Sequence, residues 1–204
     1  MSGGACLRQF IFLLLFSFTV CGSVFFPLRA WAVVSSVDTM HRKQTTQEGK
    51  MALDVLLDNC FQAARKQDWN TVMAHQKSLE KLNQAIFSMS HRNLQKEIEA
   101  NIKKNYSKGV LRALVTQNML SINLLLAEAE AFQNKPEVLE SCATQAHKNY
   151  KVLVRCIKDI QPEFEDTLEP FFEELKKTLT KSQEEALALI ANLKKKSLTA
   201  FSEI

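Results

Sequence analysis

The chain has 204 residues, 46% of them hydrophobic, and a formal net charge of +4 at pH 7; that allows one domain with a proper core plus a targeting segment. Two of the 26 basic side chains, Arg8 and Arg29, lie in residues 1–32, which hold no acid, so 24 face 22 acidic ones over the rest. Such a balance excludes a general nucleic-acid footprint. Of five glycines only Gly49 and Gly109 lie beyond residue 32, too few for hairpins or phosphate-cradling loops. A body this poor in glycine and rich in Leu, Ala, Lys, Glu and Gln reads as all-α, without a Walker or dinucleotide loop.

Met1–Ala32 reads as an export signal: Arg8, then the apolar run Phe10–Val20, then the A-x-A-like site Ala30-Trp31-Ala32. Extended through Phe26, the same run is long enough to stay as an uncleaved anchor (residues 10–26). We expect cleavage, with residues 33–44 as a flexible leader and 45–204 as a helical bundle domain. Thr45-Thr46-Gln47-Glu48 is a capping box that should open a first helix reaching about Lys66. Its inward stripe is Leu53, Leu57, Cys60 and Ala64, flanked by Leu56 and Phe61. Asp68 caps the next helix, which carries Val72, Leu79, Leu82 and Ile86 and weakens at Ser88-Met89-Ser90. Leu94, Ile98 and Ile102 follow as a narrow stripe. Asn105–Gly109 is either a break or the interior of one long helix.

Val110–Phe132 is the centre of the pattern. At about 100° per residue it shows two apolar stripes, Leu111/Leu114/Val115/Ile122/Leu125/Leu126/Ala129 and Ala113/Leu120/Leu124/Ala127/Ala131. Polar seams lie between them, Arg112/Thr116/Asn123/Glu130 and Gln117/Ser121/Glu128. Such a helix needs neighbours on two sides. Arg112, Gln117, Asn118 and Asn123 interrupt the roughly 20 apolar residues of a membrane span. Pro136 then fits the first turn of a helix carrying Leu139, Cys142, Ala146, Leu153, Ile157 and Ile160. Gln161-Pro162 is the next boundary, and Pro170 should kink or restart the helix of Phe171, Phe172, Leu175 and Leu179. Ser182-x-x-Glu185 opens a last helix through Leu189, Ile190, Leu193 and Phe201. The expectation is a bundle of five to seven helices.

Chemistry-bearing residues are sparse. In an exported protein Cys60, Cys142 and Cys156 are disulfide candidates, with Cys60 paired to one of the others. Cys142 and Cys156, fourteen apart on one helix, stand about 21 Å apart and cannot bridge. The competing reading has all three as buried small hydrophobes. No CxxC, CxxCH, HExxH or paired Glu-x-x-His motif occurs. His75, with Met51, Met73, Met89 or Met119, is the candidate axial ligand for a non-covalent haem. Asp159, Glu163, Asp166 and Glu173, spaced at three and four or multiples, are candidate ligands for a divalent metal, although a solvated acidic face has the same look. Lys103, Lys104, Lys108 and Lys194–Lys196 read as solvated ends and faces. Asn118 falls within the larger apolar stripe and must find a hydrogen-bond partner there, fixing helix register or touching a ligand.

Two short motifs complete the reading. Asn105-Tyr106-Ser107 is a glycosylation sequon, meaningful in a eukaryotic secretory setting. Leu179-Thr180-Lys181-Ser182-Gln183 resembles the L-T-x-x-Q pentapeptide of small periplasmic helical chaperones of the Spy/CpxP type. That resemblance covers five residues and implies a cradle-shaped, cofactor-free holdase; the same residues are also a helix-start signal. No nucleophile has a base and an orienter at motif spacing. The sequence therefore leads us to expect a non-catalytic, periplasmic or extracellular binding module whose partner is another protein or an envelope component. Membrane contact would come only through an uncleaved N-terminus. The alternative is a bundle holding haem, metal or a small apolar molecule in its core.

Overall fold

The computed structural model describes residues 51–158 and 164–202, side chains at 164, 165, 201 and 202 excepted. The signal, the leader, the Thr45–Glu48 box, Ile160, the Gln161-Pro162 boundary and the side chain of Phe201 lie outside the described residues. Within them the chain is all-helical: α1 Leu53–Arg65, α2 Trp69–Ser78, α3 Glu80–Ser90, α4 Leu94–Lys103, α5 Ser107–Ala131, α6 Pro136–Ile157, α7 Phe164–Thr178 and α8 Gln183–Ser202.

Eight helices stand where five to seven were expected, for local reasons. The second expected helix divides at Leu79, whose backbone leaves helical geometry (φ −90°, ψ 10°). The stretch from Leu94 to Ala131 divides at Lys104–Tyr106, where Asn105 adopts φ 50°. The Asn105 amide bonds the Ile102 carbonyl and the Tyr106 amide the Asn101 carbonyl, both at 2.9 Å, the paired bonds of a Schellman stop. Gln67 (φ 59°) ends α1 in the same way, with Asp68 N bonded to Ala63 O at 2.9 Å and Gln67 N to Ala64 O at 3.1 Å. His91 (φ 58°) ends α3. Glycine is the usual residue for these positive-φ positions, and none of the three is glycine.

Helix starts follow the expected caps more closely. Thr71 N donates to Asp68 Oδ1 (3.1 Å) and Thr71 Oγ1 to Asp68 Oδ2 (2.6 Å); these bonds hold the Asp68 carboxyl below the usual carboxylate range. Glu185 N donates to Ser182 Oγ at 3.3 Å, so Ser182 caps α8, and Leu179–Lys181 before it form the turn out of α7. One expectation fails, and one of two alternatives drops out. The first helix begins at Leu53 behind an extended Ala52 (ψ 151°), because the inward stripe that stabilises it by packing begins there. Pro170 neither divides nor restarts α7, which runs through it with Leu168, Phe172 and Leu175 buried. Packing of that stripe overrides the lost backbone bond.

One contiguous apolar core joins all eight helices, and α5 is its axis. It touches α1, α3, α4, α6 and α8, so the two sides expected for it become nearly the whole circumference. The four-residue link 132–135 and the bond from Asn118 to Asn149 lay α6 antiparallel to α5. By length and composition α5 is apolar enough to cross a membrane despite its polar residues, and 67% of its most apolar stretch is buried by the other helices. Gln117, Ser121 and Glu128, expected as a polar seam, are buried with the stripes.

Candidate functional site

The polar groups inside the bundle are organised by α5. At its middle, Gln117 meets Gln76 of α2 and Asn83 of α3, and Gln117 Nε2 donates to Asn83 Oδ1 at 2.6 Å. On the adjoining face, Asn118 Nδ2 donates to the Asn149 carbonyl (3.2 Å) and Asn149 Nδ2 to Ser121 Oγ (3.0 Å). Gln145 Nε2 extends this set to Asn149 Oδ1 (2.9 Å) and Asp54 Oδ1 (3.2 Å). Nearer the far end, Ser197 Oγ of α8 donates to Asn123 Oδ1 at 2.6 Å. Each set ties α5 to a different neighbour: α2 and α3, then α6 and through it α1, then α8. Asn118 is fully buried and bonded to backbone, the geometry of a register-fixing contact.

The three cysteines among the described residues are buried free thiols, with no two at disulfide distance. The expected pairing of Cys60 is corrected by what surrounds it. Its sulfur lies 3.8 Å from Val72 O and accepts from Gln76 Nε2 at 3.4 Å, facing α2 rather than α6. Burial pushes the Cys60 thiol up from 9.0 to about 11, against the lowering effect of Gln76. Burial, with Asp58 adding to it, pushes Cys156 up to about 12, although Arg65 and Arg155 act in the opposite sense. Thiols held protonated in this way are poor nucleophiles.

The proposed metal ligands are placed differently from the expectation. Asp159 and Glu163 lie outside the described residues, and Asp166 is exposed on α7. Glu173 joins Glu169, one turn before it on α7, and His147 of α6, and the three offer ligand atoms that lie within 4.8 Å of one another. His147 Nε2 is 3.0 Å from both carboxylate oxygens of Glu169. The ring of Phe172 stacks on His147 at 4.9 Å and 6°, fixing the imidazole plane, and packs against Tyr150 at 5.3 Å. Lys151 Nζ stands 3.4 Å from Glu169, on the same carboxylate. A nitrogen and two carboxylates from two helices suit a divalent cation. The i, i+4 spacing of Glu169 and Glu173 is visible in the chain, whereas their partner lies 22 residues before Glu169 on another helix.

His75, the candidate haem ligand, is half-buried in the last turn of α2, where its carbonyl accepts from Leu79 N at 3.0 Å. Of the methionines considered with it, Met51 and Met89 are exposed and Met119 is buried within α5. An open groove of about 430 Å³ between α7 and α8 is lined by Thr167, Asn192, Lys195, Lys196, Thr199 and Ala200. The Lys196 ammonium is turned onto the Phe171 ring, 4.5 Å from its centroid. No family model matches the chain, and no curated protein or solved structure matches it either.

Proposed function

We propose that the protein is an exported, non-catalytic helical bundle that works by binding another protein or an envelope component. Export is read from Met1–Ala32, and binding from the way the fold divides its polar chemistry. The observation that carries the reading is the commitment of the interior amides Gln76, Gln117, Asn118 and Asn149 to one another across helix pairs. Polar groups used in this way hold register. Chemistry left for a partner then lies on the outside, where Phe87, Tyr106 and Leu198 are about half exposed (48%, 51% and 57%). The test is native and denatured mass, with crosslinking, on full-length protein taken from its own compartment. A bare chain that crosslinks into a discrete adduct supports the reading. A ligand mass lost on denaturation overturns it in favour of a cofactor-holding bundle.

A second reading is favoured by one observation, the convergence of His147, Glu169 and Glu173. A divalent cation held there would pin α7 to α6 and stabilise the fold by about 2.7 kcal/mol at a hundredfold excess over Kd. Added zinc should raise the melting temperature, and His147→Ala or Glu173→Gln should abolish the effect. If zinc and chelator both leave the melting curve unchanged, the three residues form an ion-pair cluster, with Lys151 already supplying the positive charge.

A further inference from the structure

The turn between α4 and α5 presents charge of one sign. Lys103, Lys104, Lys108 and Arg112 are all exposed there, and no acid occurs between Glu99 and Glu128. Lys103 and Lys104, at the C-terminus of α4, are explained by the helix dipole. Lys108 is not. It lies in the first turn of α5, where the dipole disfavours cations, no acidic residue occupies that turn, and Arg112 follows one turn later. Neighbouring elements bring further cations to this end. Arg65 Nη2 of α1 reaches the Cys156 carbonyl of α6 at 3.1 Å, so the C-termini of those helices meet. From the Asn118–Asn149 crossing, the start of α5 and the end of α6 lie roughly 17 and 12 Å away in the same direction. Lys66 and Lys158 therefore share this end of the bundle. Of the described acids near it, Asp58 pairs with Arg155 (3.4 Å), Asp68 is bonded to Thr71, and Glu99, one turn before Lys103, accepts from Gln95 (3.1 Å).

The turn also presents an aromatic ring. Tyr106 is 51% exposed, and the Schellman bonds of Asn105 and Tyr106 fix the backbone beneath it. A Cβ at Gly109 would stand 2.4 Å from Tyr106 Cδ1 and 2.6 Å from Asn101 Oδ1, so the ring is seated against the glycine. A rigid turn with four cations around a half-exposed tyrosine has the composition of an interfacial anchor.

We propose that this turn docks on an anionic phospholipid surface, Lys103, Lys104, Lys108 and Arg112 meeting lipid phosphates and Tyr106 seated at the headgroup level. The inference rests on the binding reading above and names the partner. A bilayer is favoured over other polyanions because the chain carries the apolar run Phe10–Val20, which brings the folded part to a membrane during export or holds it there. The surface is distinct from that run and adds charge selectivity to it.

The test is partition of the full-length chain onto vesicles of phosphatidylcholine alone and of equal parts phosphatidylcholine and phosphatidylglycerol. Insertion of residues 10–26 contributes to both, so the difference between the two reports the turn. We expect strong preference for anionic vesicles, lost at high salt. The fourfold variant K103Q/K104Q/K108Q/R112Q should lose roughly fivefold per charge, hundreds-fold in all. A control variant K176Q/K177Q/K181Q/K195Q, exposed residues on or beside α7 and α8, removes the same charge elsewhere and should retain most of the preference; unchanged circular-dichroism melting certifies that both variants fold. Equal binding to both vesicles, an equal loss in the control, or tighter binding to soluble heparin than to vesicles each overturns the proposal. A chain indifferent to lipid charge that still crosslinks to a protein leaves the binding reading standing; a bound cofactor removes that reading whatever the vesicles show.

Discussion

Gln76 and Gln117, 41 residues apart, exchange both of their amide hydrogen bonds: Gln76 Nε2 lies 2.9 Å from Gln117 Oε1, and Gln117 Nε2 lies 3.0 Å from Gln76 Oε1. Asn83 closes the set by donating to Gln76 Oε1 at 3.1 Å and accepting from Gln117. All three residues are buried. The broken helix α2–α3 is thereby clamped to the middle of α5 by groups that could satisfy themselves equally well in water, so the set fixes position more than it adds stability.

Replacing Gln76 and Gln117 together should therefore cost less than the two single changes summed. Gln117→Leu leaves Gln76 and Asn83 bonded to each other but strands Asn83 Oδ1 in the core, at about 1–3 kcal/mol for the unsatisfied group. The double variant Gln76→Leu/Gln117→Leu removes both partners and should be destabilised by less than the sum of the single changes. Urea denaturation of the four proteins in the cycle measures this coupling. Strict additivity would sink the account.

The thiols give a prediction in pH. Cys60 and Cys156 have folded-state values of about 11 and about 12 against an unfolded value of 9.0. Raised values mean that the folded state retains protons that the unfolded chain gives up. Stability from this source is complete below pH 9 and is lost as pH rises from 9 toward 12, at up to a few kcal/mol per thiol. Melting between pH 8 and 11 should show a falling midpoint, and a double Cys60→Ser/Cys156→Ser variant should show a smaller slope above pH 9. At pH 8 the native protein should leave Cys60, Cys142 and Cys156 unalkylated, denaturant should expose all three, and reductant should not move the melting curve. Mass mapping of alkylated peptides checks the first two outcomes.

Gly109 is the one glycine among the described residues, and the fold uses its missing side chain. Alanine would gain about 1 kcal/mol of helix propensity, but its Cβ would fall 2.4 Å from the Tyr106 ring and 2.6 Å from Asn101. Both neighbours are side chains, and Tyr106 has solvent to move into. Gly109→Ala should thus change stability by no more than about 1 kcal/mol while displacing the ring, read as a change in the near-ultraviolet tyrosine signal. A large loss of stability with an unchanged tyrosine signal would show that backbone, not the ring, yields.

What could be read from the chain was local. Leu53, Leu57 and Cys60 on α1, or Leu139, Cys142 and Ala146 on α6, declare their buried face because side chains three and four apart share it. Asp68 and Ser182 declare helix starts because a cap bonds an amide three residues on. The ends near Lys66, Ser88–Ser90 and Asn105 were marked in the chain, but the left-handed residues Gln67, His91 and Asn105 that make them carry no distinctive sign, and the division at Leu79 was hidden. The seam Gln117/Ser121/Glu128 misled for a deeper reason: on a helical wheel a glutamine facing water and one facing another glutamine look alike.

The amino-acid sequence by itself determined an all-helical body, its inward stripes and its central helix, because periodicity and capping act within a few residues of the chain. Only the tertiary structure decided that Gln117 finds Gln76, that Cys60 faces Val72 rather than another cysteine, and that His147 meets Glu169 and Glu173. These contacts span 12 to 41 residues and depend on which helices lie side by side. That choice is made by the burial of all eight apolar faces at once, which no single segment encodes.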